Sequence, residues 1–118
     1  MRLIEEIKNR AKGCITSKNY PEAVALYSKA IEVCPAPDTA AKAILYANRS
    51  MCNLSMSKAV EAVEDAKHAV TLDPSYLKGW YRLGSAYQQQ SLHALALQAY
   101  EEGLKRKPDD KELLTQVH

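Results

Sequence analysis

Residues 77–110 read LKGWYRLGSAYQQQSLHALALQAYEEGLKRKPDD. Trp80, Leu83, Gly84 and Tyr87 stand at W-x-x-L-G-x-x-Y spacing, and Ala96, Tyr100 and Pro108 follow. Ala96 and Gly103 lie two turns apart on one helix face, where small side chains let two helix backbones approach. Pro108 stops the second helix, because proline lacks a donor N–H and clashes with the preceding turn. The stretch therefore predicts two antiparallel helices, over 76–89 and 92–106.

Two further segments align with it without internal gaps: IEEIKNRAKGCITSKNYPEAVALYSKAIEVCPAP (4–37) and AILYANRSMCNLSMSKAVEAVEDAKHAVTLDPSY (43–76). Numbered from 1 to 34 along each segment, slot 20 holds Ala23, Ala62 and Ala96, and slot 27 holds Ala30, Ala69 and Gly103. Slot 32 holds Pro35, Pro74 and Pro108. A fixed period of this size signals a solenoid of stacked units, and the third segment resembles a tetratricopeptide repeat (TPR). The first two are degenerate at aromatic slots, with Ile7 and Tyr46 for Trp, and Cys14 and Asn53 for Tyr. An all-α TPR superhelix of three helix-turn-helix repeats is expected, as a single domain over 1–118. The remaining helices are predicted at 2–17, 20–33, 39–55 and 58–71, with a seventh, capping helix from about 110. Pro21 suits a first helical turn, and Ser57 and Ser91 are expected as N-caps. Asp38–Lys42 (DTAAK) holds good helix formers and is expected to lengthen the third helix.

At 118 residues, 47% hydrophobic and 25% charged, the chain has the composition of one ordinary globular domain. A net charge of +2 gives no ground for nucleic-acid binding. GLKRKPDD (103–110) is read as a solvated patch that complements a helix dipole. No apolar run approaches membrane-spanning length, and MRLIEEIKNR lacks the apolar core of a secretory signal. No membrane contact and a cytoplasmic location are expected. Cys14, Cys34 and Cys52 are odd in number and lack CxxC spacing, which fits free thiols in a reducing compartment. None pairs at short spacing with His68, His93 or His118, so no catalytic residue, metal or cofactor is assigned.

In a TPR array the first helix of each pair lines an inner trough, at slots 2, 5, 6, 9, 12 and 13. Helix one supplies Glu5, Lys8, Asn9, Lys12, Ile15 and Thr16. Helix three supplies Ile44, Ala47, Asn48, Met51, Leu54 and Ser55, and helix five Lys78, Tyr81, Arg82, Ser85, Gln88 and Gln89. Lys8, Lys12, Lys78 and Arg82 face one acid, Glu5, so positive charge gathers in one trough of a nearly neutral chain. Asn48 adds a neutral donor, and Met51, Leu54 and Tyr81 add apolar contact. The pattern suits a short acidic peptide carrying one or two aliphatic side chains.

It also resembles the carboxylate-clamp TPR domains of chaperone adaptors, which hold the acidic C-terminal EEVD tail of cytosolic heat-shock chaperones. LYANRS supplies Asn48, and DPSYLKGWYR supplies Lys78 and Arg82, where the family has its clamp. Lys8 matches as well, but Lys12 stands where the family has Asn. The resemblance implies peptide binding by Lys8, Lys12, Asn48, Lys78 and Arg82. Asn9, Met51, Tyr81 and Ser85 are accessory candidates, and a monomeric module is expected. Arg49 is read as structural. A TPR scaffold that binds an internal segment of a complex subunit is the alternative.

Overall fold

The computed structural model describes residues 2–117; His118 lies outside them. Seven helices follow in order among the described residues, with no strand: α1 Arg2–Thr16, α2 Tyr20–Val33, α3 Thr39–Ser55, α4 Ala59–Leu72, α5 Leu77–Gln89, α6 His93–Arg106 and α7 Lys111–Val117. Each packs on the next, and α3 also packs on α5. That is the connectivity of stacked helical hairpins, drawn out to 39 × 29 × 21 Å. The helix limits predicted from the repeat agree within one residue.

The small slots lie where helices meet. Ala23, Ala30, Ala62, Ala69 and Ala96 are all buried, and Gly103 lies against Trp80 and Leu113. Gly84 faces the Tyr100 ring so closely that an added Cβ would overlap it. Tyr27 and Tyr100 fill the cores of the first and third hairpins. Asp38 caps α3, its side chain accepting the Ala41 N–H at 3.1 Å, so the DTAAK insert lengthens this helix as its composition predicts. Asp110 accepts the Leu113 N–H at 3.0 Å and starts α7 in the same way.

Ser57 and Ser91 are not N-caps. Lys58 and Leu92 occupy those positions, without side-chain capping bonds. Ser57, Ser91 and Lys18 instead share slot 15, and all three take φ 61°. The residue after each donates its N–H five residues back: Asn19 to Cys14, Lys58 to Asn53 and Leu92 to Tyr87, at 2.7, 2.8 and 2.9 Å. With the accompanying bonds from Lys18 to Ile15, Ser57 to Leu54 and Ser91 to Gln88, this is a Schellman C-cap repeated three times. The serines end the first helices rather than start the second ones.

Candidate functional site

Arg82 organises the trough from α5. Its Nη2 lies 3.5 Å from the Met51 sulfur on α3, and its guanidinium sits 5.4 Å from the centre of the Tyr81 ring. Met51 in turn packs against the first-hairpin core, where Cys14 and Ile15 of α1 also pack. The methionine thus stands between the α1 side and the α5 side. Burial lifts the Cys52 thiol to about 11, and the positive charge of Arg82 partly offsets that rise. Burial likewise raises the Tyr76 phenol, again opposed by Arg82.

Lys78 lies one turn before Arg82 and is exposed. With Tyr76, Leu77 and Tyr81 it lines a crevice whose far wall is Asp110, Glu112 and Leu113. Asn48 is half-buried on α3, three residues before Met51 and so on the same side of the helix. On α1, Lys12 and Asn9 are exposed. Lys8 lies one turn before Lys12, 3.6 Å from Glu5. It lines a small crevice with Pro35, Asp38, Ala41 and Leu45 at the α1–α3 mouth. Carboxylates therefore stand beside Lys8 and beside Lys78.

Other trough candidates are engaged elsewhere. The Ser85 hydroxyl is 3.4 Å from the Tyr100 hydroxyl, which donates to Gln88 at 2.9 Å, so both side chains face α6. Gln89 donates to the Leu54 carbonyl at 3.1 Å and ties the ends of α3 and α5 together. Ala47 does not line the trough: it is 1% exposed and packs with Ala43 and Ala69 in the α3–α4 contact. Tyr76, which the slot pattern misses, packs against that alanine cluster and also walls the Lys78 crevice. An aromatic directly before Leu77-Lys78 was the available signal.

Arg49 points away from this row, as the sequence predicts. Its Nε and Nη2 donate to the two Asp65 oxygens at 3.0 and 2.7 Å, and its Nη1 donates to Ser28 at 2.9 Å. The bond to Asp65 raises the guanidinium's already high pKa. Cys34 and Cys52 are buried and Cys14 is half-buried. His68 stacks on Tyr46, ring centres 4.8 Å apart, with its Nδ1 2.9 Å from the Glu64 carbonyl. Among the described residues no helix is long and apolar enough to cross a membrane.

The family model for the tetratricopeptide repeat matches residues 77–110. Heat shock protein STI1 of Saccharomyces cerevisiae is 40% identical over 83 residues, 70% of this chain and 13% of that protein. Serine/threonine-protein phosphatase 5 of Rattus norvegicus is 36% identical over 112 residues, 95% of this chain and 21% of that protein. The chain thus spans about a fifth or less of these curated relatives. The second TPR domain of human RPAP3, solved in complex with the HSP70 peptide SGPTIEEVD, superposes with a TM-score of 0.85 at 32% identity. That match covers 98% of this chain and 92% of the other.

Proposed function

This chain belongs to the tetratricopeptide repeat family, among its co-chaperone members, and we propose that its trough clamps the acidic C-terminal tail of cytosolic heat-shock chaperones. The observation that carries the proposal is the placement of Arg82. It reaches from α5 onto Met51 of α3, with Lys78 one turn behind it, while Lys8 and Lys12 stand one turn apart on α1. A cationic row with an apolar floor suits a carboxylate-rich peptide that also carries an aliphatic side chain. The HSP70 peptide held by the second TPR domain of RPAP3 ends in IEEVD, which has that composition.

In this reading Lys8, Lys12 and Asn48 hold the terminal α-carboxylate and nearby backbone. Lys78 and Arg82 hold the preceding acidic side chain and carbonyls. Met51 and Tyr81 contact the aliphatic groups, and Asn9 is accessory, while Ser85 is turned toward Tyr100 of α6. Glu5, 3.6 Å from the Lys8 ammonium, competes with the tail for that charge. The segment acts by holding a partner. The phosphatase activity in one relative's name belongs to a protein of which this chain spans 21%, so catalysis is not assigned here. The module works in the cytoplasm as a monomer, without nucleic acid, membrane, metal or cofactor.

Charge-assisted hydrogen bonds contribute roughly 1.5–3 kcal/mol each. Arg82→Ala or Lys78→Ala should therefore weaken binding of an EEVD-ending peptide about 10- to 100-fold, measured by calorimetry. Both variants should keep the helical circular dichroism of the parent. Unchanged affinity in both would sink the proposal in favour of an internal-segment scaffold.

A further inference from the structure

Arg49 follows Asn48 directly in α3, roughly 100° further round the helix. Its guanidinium forks onto Asp65 of α4 at 3.0 and 2.7 Å and donates its remaining arm to Ser28 of α2 at 2.9 Å. The cation also lies 5.3 Å from the centre of the Tyr46 ring. Asn53 donates to the same Asp65 oxygen that accepts Arg49 Nε, at 3.0 Å. The Asp65 side chain is 7% exposed and that of Arg49 24%. One side chain thus ties α3 to the helix before it and the helix after it.

The third repeat fills the same slots differently. Leu83, Tyr87 and Ala99 stand where the second repeat has Arg49, Asn53 and Asp65, and they pack as an apolar contact. A hairpin of this array therefore closes without ions at that place. A buried Arg–carboxylate pair costs desolvation, and apolar groups of similar volume often hold a fold as well or better. What the planar fork adds is direction, since two parallel hydrogen bonds fix the donor's angle as well as its distance. The fork and the Ser28 bond together set the rotation of α3 between α2 and α4. Asn48 gains most from a fixed rotation, because a hydrogen bond weakens steeply as its angle departs from linear.

We propose that Arg49, held by Asp65 and Ser28, is a positioning residue that aims Asn48 at the free α-carboxylate of the bound tail. This rests on the reading of the trough as a carboxylate clamp. The selectivity for a chain terminus is then set from outside the trough, by an ion pair that never touches the ligand. Lys78 and Arg82, on α5, hold the acidic side chains independently of it.

The test transplants the third repeat's residues, as Arg49→Leu/Asn53→Tyr/Asp65→Ala, alongside the milder Arg49→Lys, which keeps the charge and loses the fork. Each protein is titrated with an EEVD-ending peptide as the free acid and as the C-terminal amide. The expected result is a drop of about tenfold in the preference for the free acid, the worth of one charge-assisted bond. Affinity for the amide should hold, and adding Asn48→Ala to the variant should lower the preference for the free acid no further. An equal loss for both peptides marks a merely structural role and overturns the inference. So does a preference that a folded variant keeps. If the triple variant loses its helical signal, Arg49→Lys decides by the same ratio. A wild type that shows no preference for the free acid overturns the clamp itself, and this inference with it.

Discussion

In the proposed clamp, Lys12 is the residue that departs from the usual pattern. It lies one turn after Lys8 on an exposed face of α1. An asparagine there offers a short neutral donor, whereas lysine offers a longer, strongly hydrated charge. Lys12→Asn should keep or improve affinity for an EEVD-ending peptide, read by titration, and a loss of tenfold or more would show that asparagine cannot replace the hold of Lys12 on the tail. A thiol and a phenol buried in the core of the first hairpin, Cys52 of α3 and Tyr27 of α2, act on stability. Burial raises Cys52 from 9.0 to about 11 and Tyr27 from 10.0 to about 12. Between those values the unfolded chain has released protons that the folded chain still holds, so stability falls as pH rises. Urea unfolding should show a decline on the order of 2 kcal/mol from pH 9 to 11, with a shallower slope for Cys52→Ala. A flat profile would contradict it.

What the sequence reveals of the site divides along the same line. Lys78, Arg82 and Met51 could be assigned to one face because the repeat register fixes which side of each first helix is free. Ala47 shares that register but is covered, because Tyr76 and Ala69 close over it, and no slot rule carries that contact. Ser85 is likewise drawn aside by Tyr100, a partner fifteen residues away. The triple attachment of Arg49 depends on Ser28 in the preceding repeat, and only assembled helices bring that residue within 2.9 Å.

At the level of elements, the helices follow from the small residues at slots 20 and 27 and from the prolines at slot 32. The turns do not follow so simply. Serine before a helix is most often its N-cap, yet at slot 15 the geometry that closes the first helix takes precedence and requires a left-handed residue. Lysine and serine tolerate that region at some cost, and glycine occupies it freely. Ser91→Gly should therefore stabilise the domain by about 0.5–1 kcal/mol, seen as a rise of a few degrees in the thermal midpoint. A fall in the midpoint would mean that the Ser91 side chain contributes something the cap geometry does not reveal. Side-chain N-caps form at Asp38 and Asp110, aspartates whose carboxylates reach the N–H three residues on.

Across the whole molecule, three hairpins and α7 make an elongated stack in which the first helices share one trough. The cations of that trough come from two repeats, Lys8 and Lys12 from the first and Lys78 and Arg82 from the third, while Asn48 and Met51 of the second lie between them. No single repeat holds the set, so the proposed recognition belongs to the array. The central claim is that the array reads the end of a chain. It is tested most directly by titrating the wild-type protein with one EEVD-ending peptide in two forms, free acid and C-terminal amide, at matched salt. The account predicts that the amide binds about 10- to 100-fold more weakly, because Lys8, Lys12 and Asn48 lose the carboxylate they hold. Equal affinity for the two forms would contradict it and assign the trough to an internal segment of some other partner.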